Sequence, residues 1–282
     1  MSIFLPTRRF LGGASWAKNA LWSRARAVPS LDLRFADNKS LVDATTGQNL
    51  VTFTRASDGT YVGSDGQIKT AVTNLLTFSE QFDNAAWGNN SSSEQADATV
   101  APNGTTTADK LIENNTTNVH SFGRGGGSES LVTGLVYTFS VYAKAGERSF
   151  VYLQATSNFA KTYFNLSTGV VSATGSGHTA SIAAVGNGWY RCAITFTSDT
   201  TNNSIRAIGM AAASGTESYA GDGTSGLFLW GAQLEQSSTV GEYIPTTSTI
   251  NSAPRFDHNP TTGESLGLLV EEQRTNSIRN NT

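Results

Sequence analysis

Apolar and polar residues alternate most regularly between Val136 and Phe196, and that two-residue period predicts strands. From Val136 to Ala143, the residues Tyr137, Phe139, Val141 and Ala143 fall on one face. Phe150 to Ala155 follows, with Val151 and Leu153 as core positions. Phe164 and Leu166 lead through Ser167-Thr168-Gly169 to Val170-Val171, a hairpin pattern. Ile182 to Val185 is followed by Asn187-Gly188, a pair favouring the type I′ turn, and by Trp189. Beyond the turn, Tyr190, Cys192, Ile194 and Phe196 share one face, and Trp189, Arg191, Ala193 and Thr195 the other. Ile205 to Met210 and Leu227 to Leu234 complete about eight strands, which predicts an all-β jelly-roll β-sandwich over residues 74–246.

The flanking stretches differ. Residues 31–73 form a short-stranded lead-in: Leu31 to Phe35 and Leu50 to Thr54 alternate, and Tyr61-Val62 and Gln67-Ile68 flank a Ser64-Asp65-Gly66 turn. This stretch is too short to close its own core and is expected to pack on a partner or on the next module. Residues 247–282 read as a linker toward a further module, with a short strand from Leu266 to Val270. Arg274-Thr275-Asn276-Ser277 echoes Val72-Thr73-Asn74-Leu75, the lead into the sandwich. Residues 1–30 carry Arg8, Arg9, Lys18, Arg24 and Arg26 with no acidic residue, together with Trp16 and Trp22. A short helix is expected from Ser15 to Ala27, stopped by Pro29, and this segment is read as a docking peptide. A frayed basic tail is the other reading of the same residues.

Composition narrows the function. Among 282 residues only 15% are charged and 28 are glycine, which suits strands joined by tight turns. A net charge of −3 offers no global field for nucleic acid. No apolar run reaches the roughly 18 residues that span a bilayer. The single cysteine, Cys192, rules out an intrachain disulfide framework. Thr7-Arg8-Arg9-Phe10-Leu11-Gly12 departs from a twin-arginine export signal, because Lys18, Arg24 and Arg26 interrupt the apolar segment required. His120, His178 and His258 are isolated, and no nucleophile elbow is present. A glycosidase needs two opposed carboxylates. Asp83, Asp97, Asp109, Glu113, Glu217 and Asp222 are available, but their spacing pairs none of them. Sugar recognition is the better candidate, because aromatic rings stack on pyranose faces. Trp189 with Arg191, opposite the inferred core, and Trp87, in a loop region, are the glycan-binding candidates; packing is the alternative role for both tryptophans. Trp230 is read as core.

Several stretches resemble tail-fibre and other structural proteins of tailed bacteriophages. They are 54–62 (Thr-Arg-Ala-Ser-Asp-Gly-Thr-Tyr-Val), 74–84, 101–109, 140–148, 186–191, 229–235, 243–246 and 267–276, together covering about residues 31–276. The central module is also similar to the carbohydrate-binding jelly rolls attached to bacterial polysaccharide-degrading enzymes. The resemblance implies a virion structural protein, without enzymatic activity, that presents a sandwich to host-surface polysaccharide. A homo-oligomer, with a trimer favoured, is expected because it would bury the short lead-in strands. The N-terminal segment lies outside the resemblance; its positive charge and paired tryptophans (Arg8, Arg9, Trp16, Lys18, Trp22, Arg24 and Arg26) make it the segment expected to dock on tail, portal-adaptor or capsid subunits. Head decoration is the alternative placement, and a carbohydrate-active enzyme a third reading. Neither nucleic acid nor membrane is an expected partner. No cofactor is expected: Asp83 and Gly221-Asp222-Gly223 could contribute to a structural calcium site, but Trp230-Gly231 stand where such modules often carry an Asp pair.

Overall fold

The computed structural model describes residues 30–57, 59–124, 131–155, 160–199 and 207–271. The docking candidates Arg8, Arg9, Trp16, Lys18, Trp22, Arg24 and Arg26, and the helix expected over 15–27, lie outside the described residues. The chain divides into two compact units, one of Met1–Thr54, Asp58–Ala71 and Pro254–Thr282, the other of Arg55–Ser57 and Val72–Ala253.

The first unit begins with short elements. The strand expected from Leu31 to Phe35 is a single bridge, Leu33 to Asp43, followed by one helical turn, α1 (Phe35–Asn38). The buried Asp43 carboxylate gathers the Asp32 and Thr45 amides and the Thr45 and Thr46 hydroxyls, and Lys39 turns the chain with a positive φ of 55°. These local bonds replace a ladder, and Leu50 to Thr54 likewise forms no strand. The expected hairpin is present as β1 (Thr60–Val62) and β2 (Ile68–Thr70).

The second unit is the predicted all-β sandwich, and every ladder in its two six-stranded sheets is antiparallel. It starts at β3 (Thr73–Asn74), β4 (Trp87–Asn90), β5 (Ser92–Thr99), β6 (Ala108–Glu113), β7 (Thr117–Val119) and β8 (Ser121–Arg124). It continues through β9 (Val136–Ala145), β10 (Phe150–Gln154), β11 (Lys161–Asn165), β12 (Val170–Ala173) and β13 (His178–Gly186). It ends with β14 (Trp189–Thr197), β15 (Ala207–Ala211), β16 (Ser218–Ala220), β17 (Gly226–Glu235) and β18 (Asn251–Ser252). One sheet runs β12-β11-β10-β15-β8-β4 and the other β13-β14-β9-β17-β6-β5. Consecutive strands from β8 to β10 change sheets, as do β14, β15 and β17. The inner strands β8-β15-β10-β11 and β6-β17-β9-β14 therefore reproduce the two interleaved Greek keys of a jelly roll.

The alternating residues close the core as the pattern predicts. Phe139, Val141, Ala143, Val151, Leu153, Cys192, Ile194 and Phe196 are buried together between the sheets. The β13–β14 turn has Asn187 at φ 52° and Gly188 at φ 79°, two consecutive positive values that the Asn-Gly pair tolerates. The region after residue 246, expected to be a linker, carries paired strands among the described residues. β18 pairs with β3, so the chain leaves the sandwich beside the point where it came in. Beyond it, β19 (Phe256–His258) and β20 (Ser265–Leu268) form a hairpin of the first unit. There Asp257 accepts the Val62 amide at 2.7 Å, so lead-in and tail build one unit.

Candidate functional site

The sequence pattern places Trp189 correctly on the face opposite the core, but that face is not open. Trp189 is 2% exposed and Trp230 4%, joined by Ala101 and Ala108 in a second apolar cluster outside the β13–β5 sheet. Two segments of the same unit cover it. The β5–β6 connection accepts the Trp189 Nε1 hydrogen at Val100 O, 3.1 Å away, and the Trp230 Nε1 hydrogen at Thr107 Oγ1, 3.1 Å away. From the other side Tyr243 packs on Trp230, ring centroids 4.7 Å apart. Arg191 lies over the Tyr142 ring at 5.2 Å and donates to Gly241 O and Ser140 Oγ. Trp87 is 4% exposed, donates to Phe78 O at 3.0 Å, and packs against Phe82 and the Arg124 guanidinium. Neither tryptophan offers a ring face to a sugar, so both take the packing role.

The other sheet has the more open outer face. Two rows of outward residues cross five of its strands in register. The first is Lys161–Gln154–Ala207–Gly123–Gly88, and the second is Tyr163–Tyr152–Gly209–Ser121–Asn90. On β15, β8 and β4 these side chains are mostly small, and on β11 and β10 they are long, so the face descends from a polar-aromatic bank to a low floor. Gly209 is required for this arrangement: a Cβ there would stand 2.3 Å from Tyr152 Cζ, because the Tyr152 ring lies flat across it. Tyr152 is 1% exposed and packs with Tyr163, Ala211 and Val119. Val119 lies on β7, which pairs with β16, and Glu217, just before β16, bonds to the bank. The first row keeps access to solvent: Gly88 is exposed, and Gly123, Ala207, Gln154 and Lys161 are half-buried.

The bank is electrostatically settled. Lys161 Nζ lies 2.9 Å from Glu217 Oε1, and the Tyr163 hydroxyl donates to Glu217 Oε2 at 2.7 Å. Burial opposes the Glu217 charge, but the bonds from Tyr163 and Lys161 outweigh it and hold the carboxyl below its usual range. Burial raises the Tyr152 phenol to about 12, so it stays protonated near neutral pH. β16 is fixed from behind by Glu113. That buried carboxylate receives two bonds from Arg148, one from the Tyr219 hydroxyl and one from the Asp222 amide. Burial works against this charge too, yet Arg148 and Tyr219 bring the Glu113 carboxyl below its ordinary value.

The carboxylates raised by burial lie elsewhere. Asp109 is pushed to about 6, chiefly by burial, against the bonds it accepts from the Asp97 and Phe82 amides; nearby Asp83 and Asp97 raise it further. Glu235 and Glu80 are raised by burial and hold the covering segment at the Gly241 amide and the Tyr243 hydroxyl. Among the described residues no group of three or more His, Cys, Asp or Glu side chains is arranged to hold a metal ion. Asp222 spends its carboxylate on Thr224 and Ser225 within its own loop. No helix among the described residues is long and apolar enough to cross a membrane.

No family model matches the chain, and no curated protein does. Among solved structures it is similar to the CBM22-1–GH10 modules of the Clostridium thermocellum endo-1,4-beta-D-xylanase 10B, a structure complexed with xylohexaose. That match has 16% identity and a TM-score of 0.35, covering 62% of this chain and 30% of the other.

Proposed function

We propose that this chain is a non-catalytic attachment subunit of a tailed-phage virion, and that it holds host-surface glycan on the shelf formed by Gly88, Gly123, Ala207, Gln154 and Lys161. The observation that carries the binding reading is the in-register row across the β12–β4 sheet, with small residues at one end and hydrogen-bonding side chains at the other. A pyranose ring is flat enough to lie on backbone left bare by glycine and alanine. Its hydroxyls need donors and acceptors at the margin, which Gln154, Lys161 and Glu217 supply. The virion assignment rests on the phage-like stretches spread over residues 31–276.

The reading has an energetic corollary. Among the described residues of the shelf no large ring stands open to stack on the sugar, so each site binds weakly and attachment relies on many copies acting together. Filling the shelf with Ala207→Trp, or trimming its margin with Gln154→Ala plus Lys161→Ala, should abolish retention on immobilised host polysaccharide. Released reducing ends should stay at background throughout. Undiminished retention in both variants would remove the shelf from consideration, and steady release of reducing ends would replace attachment with hydrolysis.

A further inference from the structure

The two six-stranded sheets have four edge strands, β12, β4, β13 and β5, and three of them are blunted. β4 and β12 span only four residues each, and the β11–β12 ladder shifts register. β5 carries Glu94 and Asp97 and shifts register between Gln95 and Thr99. Short length, charge and bulges are the devices by which proteins keep sheet edges from pairing with other chains.

β13 is longer and uncharged, and its one register shift falls at its end, between Ala184 and Gly186. It runs nine residues, His-Thr-Ala-Ser-Ile-Ala-Ala-Val-Gly, with no Lys, Arg, Asp, Glu or Pro. It pairs with β14 without a shift from His178 through Ala184, and among the described residues its other edge pairs with no strand. Thr179, Ser181, Ala183, Ala184 and Val185 are exposed. Ala180 and Ile182 lie half-covered against the core, so the core thins out at this border instead of being sealed.

We infer that β13 is an interface, pairing antiparallel with β13 of a second copy of this chain and joining two six-stranded sheets into one. The strand is complementary to itself. Centred on Ile182, the pairing sets Ser181 against Ala183 and Ala180 against Ala184, small residues with no like charges opposed. A foreign extended peptide could add to the same edge, but such recognition draws specificity from side-chain pockets, and these short side chains supply little relief. Pairing one edge with its own copy uses the same patch on both subunits, so assembly closes at two copies. The inference does not depend on the glycan shelf, which lies on the other sheet.

Light scattering of the full chain across a concentration series should give twice the 29.8 kDa chain mass. Ser181→Lys, which sets two like charges near the two-fold axis, should halve that mass, and Ser181→Thr should keep it. Amide exchange should slow along 178–185 as concentration rises, with no change along 189–196. A single-chain or threefold mass for the unaltered protein, a doubled mass retained by Ser181→Lys, or concentration-independent exchange in β13 would each overturn the inference.

Discussion

At the residue scale, burial decides what the conspicuous side chains do. Trp189 has the identity and strand position of a sugar-stacking residue, yet its ring is enclosed and its indole N–H is satisfied at Val100 O. Trp189→Ala should therefore cost about 3–5 kcal/mol of stability, the range for removing a large aromatic from a packed interior. Denaturant titration would read this directly; a loss under about 1 kcal/mol would mean that the ring is not packed as described. Asp109 makes a pH prediction. Its carboxyl is raised from 3.8 to about 6, so the folded chain keeps a proton that the unfolded chain has already released. The contribution is present below about pH 4 and lost as pH rises through about 6, because stability falls wherever the folded state binds more protons. Asp109→Asn removes the titration. Unfolding curves from pH 4 to 7 should show the unaltered protein losing ground to the variant up to about pH 6 and running parallel above it. Parallel curves throughout would contradict the raised carboxyl.

At the element scale, β7 and β16 are a small roof held mainly by polar bonds. Arg148, Tyr219 and the Asp222 amide converge on Glu113, whose side chain has no exposed surface. Glu113→Ala strands Arg148, and breaking a pair of this kind costs about 3 kcal/mol. The loss should be local at first. Amide exchange should quicken over 217–222 and in Thr117–Val119 while β9 and β14 keep their protection; uniform acceleration would show that the roof is not a separate unit. Legibility in the sequence also varied by element. β9 and β14 were readable because each has one face in the core, which leaves a clean two-residue period. β4 and β5, Trp-Gly-Asn-Asn and Ser-Ser-Glu-Gln-Ala-Asp-Ala-Thr, have few apolar residues to betray them, since edge strands bury little. The shelf was equally hidden, because its floor is defined by side chains that are absent.

At the scale of the whole molecule, the all-β jelly roll was legible and the covering of its outer faces was not. The segments that enclose Trp189 and Trp230 come from 100–107 and 236–246, too far along the chain for any local pattern to place them. The lead-in and the tail each looked like leftovers, yet they form one unit interrupted by the sandwich. That interruption is bounded by the ladder of Thr73 with Ser252 and Asn74 with Asn251. A domain whose two ends meet can be lifted out of a gene and another set in its place, with the host scaffold required to bridge only a strand-to-strand gap of about 5 Å. Swapping cassettes at Val72 and Ala253 would exchange the whole sandwich while the rest of the protein goes on unchanged.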